Sequence, residues 1–150
     1  MSAVTFFKPN AQNSGHAAKF YTNVHQITKK FETYLNIAKQ VKWDPDKKIA
    51  SFKSDDPDNK IAVKFKPVEL ASMILAIDEV EPFSTVHVYS GDSTSITFKS
   101  YKKKDSKIAF GLSISRKGAK FSISLNMNEA LLLRSFCDQA INEAIRINEA

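Results

Sequence analysis

The sequence predicts an α+β domain of two four-stranded antiparallel sheets and two helices, produced by a repeated β-β-β-β-α unit. Phenylalanine is abundant, with 11 residues, and glycine is scarce, with 4, a composition that favours pleated sheet. Several segments alternate between apolar and polar residues with a period of two, as half-buried strands do. A shift of 60 residues also superimposes the strand-to-helix passage of one half on that of the other.

The chain length and the single cysteine bound the architecture. At 150 residues the chain fits one domain, in which 1–84 form the first repeat with an N-terminal loop and 85–150 form the second. Cys137 is the only cysteine, which excludes an intramolecular disulfide and a thiolate zinc cluster. Because Cys137 falls on the apolar face of a predicted helix, we interpret it as a small buried hydrophobe.

The first half is predicted to begin with an irregular segment over 1–15, because its second part is rich in loop-forming Pro, Asn, Ser and Gly. Strands are then predicted over 17–27, 31–43, 48–53 and 60–65, with turn residues at 44–47 closing a hairpin. A helix follows at Pro67, which suits the first helical position. Its apolar stripe consists of Leu70, Met73, Ile74 and Ile77.

The second half repeats this order. Strands are predicted over 85–89, 95–102, 107–115 and 120–125. Arg116, Lys117 and Gly118 form a tight basic hairpin turn before the last of them. The final helix is predicted to run to about Ile147, and it begins with a capping box in which Asn126 is the cap and Glu129 stands three residues on.

The repeat aligns the two helix starts residue by residue. Val63 corresponds to Ile123, Pro67 to Met127 and Glu69 to Glu129. We interpret the paired glutamates as carboxylates that complement helix N-termini rather than as an acid/base pair. The repeat predicts two sheets packed on each other, with the two helices at one side or end.

Three short segments carry a resemblance to a known family. The segment Ser14 to Phe20 looks like a Lys-Gly-Lys-Ala-Ala-Leu motif, and the segments Lys64 to Leu70 and Phe121 to Ala130 resemble a Phe-Ser-Leu-Ser-x-x-Glu stretch before each helix. Together with the double repeat, they resemble the Whirly family of single-stranded DNA-binding proteins. That family is related in fold to the positive-cofactor transcriptional coactivators and to mitochondrial guide-RNA-binding proteins. Ser14 and His16 replace lysines of the motif, and the plant-type Tyr-Asp-Trp motif is not evident.

The resemblance implies binding of single-stranded DNA and assembly through the helices into a homo-oligomer, a dimer or more usually a tetramer. It also implies that nucleic-acid strands pass between neighbouring sheets. A compact phage or bacterial member fits the pattern. The composition points the same way independently, since 22 basic against 16 acidic residues give a net charge of +6, which suggests a polyanionic partner.

Binding of single strands without sequence preference needs cations for the phosphates and flat side chains for the bases. Tyr101 is the clearest aromatic candidate, because it stands between lysines on the solvent side of a predicted strand. Trp43 falls at one of the alternate positions that are predicted to point inward, so packing within the protein and stacking on a base are alternative roles for it. The residues predicted to contact nucleic acid are Tyr34, Lys42, Trp43, His87, Tyr89, Lys99, Tyr101, Lys103, Arg116, Lys117 and Lys120.

Several other functions lack their sequence signals. The chain has no P-loop, no nucleophile elbow and no pair of histidines at helical spacing, so we expect no enzyme, no metal and no cofactor. No apolar run is long enough to cross a membrane, and the first ten residues lack the features of a targeting segment. These observations predict a cytoplasmic protein of a bacterium or a phage-infected host cell.

The sequence therefore predicts a single-stranded DNA-binding protein, largely independent of sequence, that acts in replication, recombination or repair. Within binding proteins the alternatives are an RNA-binding or strand-annealing protein and a transcription coactivator. A five-stranded oligonucleotide-binding barrel is an alternative fold for the same function. A structural or virion assembly protein, whose sheets only oligomerise, is the alternative of a different class.

Overall fold

The computed structural model describes residues 2–148 and contains ten strands and two α-helices. The first half contributes β1 (Ala3–Lys8), β2 (His16–Val24), β3 (Phe31–Lys39), β4 (Lys42–Asp44), β5 (Ile49–Ser51), β6 (Lys60–Phe65) and α1 (Pro67–Asp78). The second half contributes β7 (Phe83–Tyr89), β8 (Asp92–Lys102), β9 (Ile108–Arg116), β10 (Ala119–Asn126) and α2 (Met127–Asn148).

The strands form three antiparallel sheets rather than the two that the repeat predicts. The first sheet has the order β1-β2-β3-β6, and the second has the order β7-β8-β9-β10. A third sheet consists of β4 and β5 alone. The α+β class with two helices is confirmed, and the third sheet is the difference.

The N-terminal segment is a strand, which corrects the prediction of an irregular 1–15. Val4 and Phe6 of β1 face the core, and β1 pairs with β2 along its length, from Ala3 opposite Tyr21 to Lys8 opposite His16. The loop-forming residues lie just beyond this strand and form the β1–β2 loop. The loop-forming residues dominate the composition of this segment, and the six-residue β1 is too short for its alternation to predict a strand.

The predicted strands over 31–43 and 48–53 are also corrected. β3 ends at Lys39, because the next residue turns into the interior: the Gln40 side chain accepts a bond from the Asn10 N–H and donates one to the Asn10 carbonyl, both at 2.9 Å. The fourth strand of the first sheet is β6, which pairs directly with β3. β4 and β5 therefore form an excursion between β3 and β6.

The second half follows the predicted order closely. Its strands are joined by tight turns, and two of them place their central residues at positive φ: Ser90–Gly91 between β7 and β8, and Lys117–Gly118 between β9 and β10. Two central residues at positive φ are typical of hairpin turns that match strand twist. These two turns lie at the same end of the second sheet, because Thr94 pairs with Arg116.

Both helix starts use a glutamate as the repeat predicts. The Glu69 carboxylate accepts a bond from the Lys66 N–H at 2.8 Å, and the Glu129 carboxylate accepts one from the Asn126 N–H at 3.0 Å. The Asn126 side chain in turn accepts a bond from the Glu129 N–H, which completes the predicted capping box. Their capping role supports a structural interpretation of this pair.

The helices pack on each other and on strands of both halves. α2 contacts β1 and β3 of the first sheet and β9 and β10 of the second, while α1 contacts β7 and β8. Arg134 of α2 forms a two-pronged ion pair with Asp78 of α1, and this guanidinium lowers the pKa of the Asp78 carboxyl. The sheets also touch directly where β10 meets β2 and β3. The helices are thus part of the shared core rather than an appendage at one side.

One continuous core draws on both halves. Phe20, Leu35 and Leu70 from the first half and Phe98 and Phe110 from the second are fully buried within it. Cys137 is buried there as predicted, and burial raises the pKa of its thiol to about 12. Neither helix, as far as residue 148, is long and apolar enough to cross a membrane.

Candidate nucleic-acid interface

Each four-stranded sheet has an outward side that faces away from the core. We call these the first outer face, on β1, β2, β3 and β6, and the second outer face, on β7 to β10. Both are defined by the alternation of buried and exposed residues along the strands and by the cross-strand register. Side chains on them stand where a long ligand can lie across several strands.

The second outer face is rich in hydroxyl groups. Its outward residues include two lysines, Lys99 and Lys120, and no carboxylate among the outward positions of its four strands. Hydroxyls and lysines are both common phosphate contacts. The hydroxyl residues are Ser84, Ser93, Ser95, Thr97, Ser113, Ser115, Ser122 and Ser124.

Tyr101 lies across β9 on this face. Its phenol is hydrogen-bonded to the Ser124 hydroxyl of β10, so the ring spans β9. A Cβ built on Gly111 would lie 3.7 Å from the Tyr101 ring, which places the ring directly above that glycine. The side chain remains 43% exposed. A fixed, half-exposed aromatic ring of this kind suits base stacking.

The first outer face also carries aromatic and basic groups. The Tyr21 and Tyr34 rings stack at 5.4 Å between centroids and 21° between planes, and the Lys19 ammonium lies 5.6 Å from the Tyr21 centroid. Glu32 accepts a hydrogen bond from the Tyr34 phenol and pairs with Lys64 at 3.4 Å. The bond to Glu32 raises the pKa of Tyr34 to about 12, so this phenol stays protonated at neutral pH.

A cleft of about 620 Å³ lies where the free edges of the two sheets meet, and we call it the edge cleft. It opens between β6 of the first sheet and the ends of β7, β8 and β9 of the second. Three of the predicted residues, His87, Tyr89 and Arg116, line it together. Lys117 pairs at 3.2 Å with Asp92, which also lines the cleft.

His87 contacts the start of α1. Its Nε2 atom lies 2.6 Å from the carboxylate of Glu69, and its ring packs edge-on against Phe65 at 6.4 Å. On β7 the inward positions are every second residue, beginning with Phe83, which pairs with the buried Phe98. His87 is one of these positions, so its side chain points inward. Its imidazole therefore ties β7 to the start of α1 and is not displayed on an outer face.

The remaining predicted residues are scattered. Lys42 and Trp43 lie on β4, in the separate two-stranded sheet, where Trp43 is half-buried opposite Ala50. Their predicted place on a long second strand is wrong, because that strand ends at Lys39. Lys103 falls in the turn after β8 and not on the strand itself. Lys99, Tyr101 and Lys120 share the second outer face, and Tyr34 alone occupies the first.

Sequence reasoning missed part of both faces. Lys19 and Tyr21 alternate on β2 in the same way as Lys99 and Tyr101 on β8, and that alternation was a readable signal. No sequence pattern indicates that these two residues lie beside Tyr34, because this contact depends on the register that places Tyr21 opposite Tyr34. The hydroxyl-rich character of the second face was readable as serines at alternate positions. Within residues 2–148 no cluster of three metal-ligating side chains occurs.

Comparison with known proteins gives structural matches only. No family model and no curated protein matches the chain. Crystal structures of the MRP1/MRP2 proteins of Trypanosoma brucei match it with a TM-score of 0.61 at 17% identity, covering 94% of this chain and 84% of that one. A guide-RNA-binding protein complex bound to a guide RNA matches with a TM-score of 0.62 at 16% identity, covering 93% and 89%. At these identities the matches show a shared fold.

Proposed function

We propose that this protein binds single-stranded nucleic acid, largely without regard to sequence, on the outer faces of its two sheets. One observation carries the proposal: the second outer face combines Lys99, Lys120, a row of hydroxyls and the fixed ring of Tyr101, with no carboxylate among its outward strand residues. Lysines and hydroxyls contact phosphate oxygens, and an aromatic ring stacks on any base. Such a surface favours a flexible strand whose bases are free to stack.

The same chemistry predicts little preference for the base sequence. Phosphate contacts position a strand and carry no base information, and stacking tolerates every base because each has a π-face. Bidentate readers of base edges are Arg, Asn and Gln side chains. The outward strand positions of the second face hold no Arg or Gln, and Asn126 there is engaged in the cap of α2. Affinity is therefore expected to be dominated by charge and to fall steeply with salt.

Two candidate ligands follow from different observations. The resemblance to the Whirly family supports single-stranded DNA and a role in replication, recombination or repair, and membership of that family is part of this proposal. The structural matches to guide-RNA-binding proteins support RNA as the second candidate. Under either candidate we propose a non-enzymatic protein that acts as a homo-oligomer.

The test is fluorescence anisotropy of a labelled 30-residue oligo-dT at several salt concentrations, with unlabelled RNA and duplex DNA of equal length as competitors. If about five phosphates are neutralised, log affinity should fall with log salt at a slope of about −3.5. Displacement by single-stranded DNA alone would select the first candidate, and equal or better displacement by RNA would select the second. Absence of binding at low salt would leave an assembly protein as the remaining interpretation.

Variants locate the surface. Tyr101→Ala should weaken binding by about 1–3 kcal/mol, the usual value of one stacked base. Lys99→Gln and Lys120→Gln should each flatten the salt slope by about 0.7. Lys47→Gln is the matched control, because Lys47 lies in the exposed β4–β5 turn and on neither outer face. Binding by the three variants that matches the wild type would place the interface elsewhere.

A further inference from the structure

The edge cleft is positively charged and built from both sheets. Three of its lining residues are cations: Lys64 and Lys66 come from the first half, and Arg116 comes from the end of β9. Its volume of about 620 Å³ falls within the usual range of small-ligand sites, roughly 300–1,000 Å³. Lys99, Tyr101 and Lys120, the groups proposed to bind nucleic acid on the second outer face, do not line this cleft.

Arg116 is held in place across the junction of the two sheets. Its Nε donates to the buried Thr94 hydroxyl of β8 at 2.6 Å, and its Nη2 donates to the Ala62 carbonyl of β6 at 3.4 Å. Nη1 donates to no group of residues 2–148. A guanidinium that is fixed and still has donors to offer is preorganised for a phosphate, because little side-chain freedom remains to be lost.

The carboxylates near the cleft are already matched with bases. Asp92, which lines it, pairs with Lys117, and Glu69 contacts His87. Lys64 is shared with Glu32, which leaves Lys66 and Arg116 as the cations without a carboxylate partner among residues 2–148. The cleft therefore attracts an anion.

One wall of the cleft is apolar and exposed. Val86, Val88 and Tyr89 of β7 line it, and Val88 and Tyr89 are 71% and 83% exposed. Large apolar side chains on a free strand edge are unusual, since edges are normally protected by charge or proline. An aromatic ring and two valines beside cations match the two parts of a nucleotide, a flat base and a phosphate.

We propose that the edge cleft binds a phosphorylated nucleotide, with its phosphate on Arg116 and Lys66 and its base against Tyr89. The nucleotide is either a free mononucleotide or the phosphorylated end of a strand, and the latter source rests on the proposed function. A terminal phosphate monoester carries about −1.5 to −2 charge at pH 7, against about −1 for an internal phosphodiester. Cations clustered in one cleft therefore favour a terminal phosphate.

The strand-end source is tested with three oligo-dT probes of the same length, bearing a 5′-phosphate, a 3′-phosphate or no terminal phosphate. Wild type should bind one phosphorylated form about 10-fold more tightly than the unphosphorylated form, the effect of about one hydrogen bond to a charged group. That ratio should fall to about one in Lys66→Gln and Tyr89→Ser, which replace exposed side chains. Arg116→Gln should lose it as well, with thermal melting to verify folding.

The free-nucleotide source is tested with thymidine 5′-monophosphate and inorganic phosphate as separate probes, followed by amide chemical shifts of Thr94 and Arg116. Shifts caused by the mononucleotide and abolished in Lys66→Gln would support a free-nucleotide site. Lys47→Gln is again the control and should behave as wild type. Equal binding of the three oligonucleotides, combined with no shift from the mononucleotide, would overturn the cleft proposal while leaving outer-face binding intact.

The two proposals fail separately. If no oligonucleotide binds but the mononucleotide shifts Thr94 and Arg116, the proposed function is wrong and the cleft site stands. If oligonucleotides bind and Tyr101→Ala weakens them while Lys66→Gln leaves the phosphate ratio unchanged, the cleft assignment is wrong and the outer-face site stands.

Discussion

The two halves of the molecule build the same four-stranded sheet and the same helix start, but they join the third strand to the fourth differently. In the second half, β9 passes to β10 through the two-residue turn Lys117–Gly118. In the first half, β3 passes to β6 through the β4–β5 excursion. Because β6 still pairs with β3 in register, the excursion changes the surface and leaves the sheet intact.

The halves also depend on each other at their helix starts. The glutamate that caps α1 is contacted by His87, from the first strand of the second half, and the glutamate that caps α2 is contacted by Lys8, from the first strand of the first half. Each half therefore completes the other. The two copies of the repeat therefore share contacts at both helix starts and one core.

The outer faces differ as well. The first carries a stacked tyrosine pair with cations and a carboxylate, and the second carries serines, two lysines and one tyrosine bonded across the sheet. A repeat that preserves the buried side thus leaves the outward side free to diverge, because packing constrains only the residues that face the core.

The largest effect should come from the shared aromatic core. Phe20→Ala removes a ring that contacts Phe6 and Phe65 of its own half and Phe136 of the other, and it should cost about 3–5 kcal/mol of unfolding free energy. Phe110→Ala, which removes the partner of Phe98, should cost a similar amount. Urea denaturation should show one transition for both variants. Two separate transitions would mean that the halves unfold independently.

Removing either helix-start glutamate should destabilise the protein less than removing a core phenylalanine, and the cost should differ between the two halves. Glu69 is buried and bonds both Lys66 and His87, so Glu69→Ala should cost about 2–3 kcal/mol. Glu129 is more exposed, and Glu129→Ala should cost about 1 kcal/mol. Double-mutant cycles with His87→Ala and Lys8→Ala measure the cross-half couplings. Equal costs for the two glutamates would show that burial does not distinguish the caps.

The junction between the sheets should be sensitive to acid. His16 packs against Phe121, its Nε2 atom is buried without a partner in residues 2–148, and burial followed by the nearby Lys39 lowers its pKa below 6.5. Below about pH 6.5 His16 binds a proton more readily in the unfolded chain than in the folded chain, so the free energy of unfolding falls as the pH drops. His16→Gln should flatten this loss in denaturation at pH 7.5 and 5.5. His25→Gln, in the β2–β3 turn, is the control, and an unchanged slope in His16→Gln would contradict the assignment.

The smallest effect concerns the first outer face. Tyr34→Phe removes the bond to Glu32 and should cost about 0.5 kcal/mol at neutral pH. Because folding raises the pKa of Tyr34 to about 12, this contribution is present below pH 10 and is lost as the pH rises towards 12. The stability difference between wild type and variant should shrink between pH 8 and 11. A constant difference would mean that the phenol is not the titrating group.

The sequence alone determined what depends on local periodicity. The alternation of apolar residues predicted β6 and the strands of the second half, and Pro67, Glu69, Asn126 and Glu129 predicted both helix starts. It also predicted that Tyr101, Lys99 and Lys120 face outward. These features follow from the two-residue alternation of strands and from hydrogen bonds between residues three apart, both of which can be read directly from the sequence.

Tertiary structure decided what depends on distant partners. β3 ends at Lys39 because the Gln40 side chain is hydrogen-bonded to Asn10 of the β1–β2 loop. His87 points away from the outer faces and contacts Glu69 at the start of α1. Tyr21 lies beside Tyr34 because of the register between β2 and β3. The edge cleft exists only because β6 and β7, edge strands of different sheets, come together. Contacts between residues far apart in the chain leave no periodic trace, and they decided which predicted residues share a site.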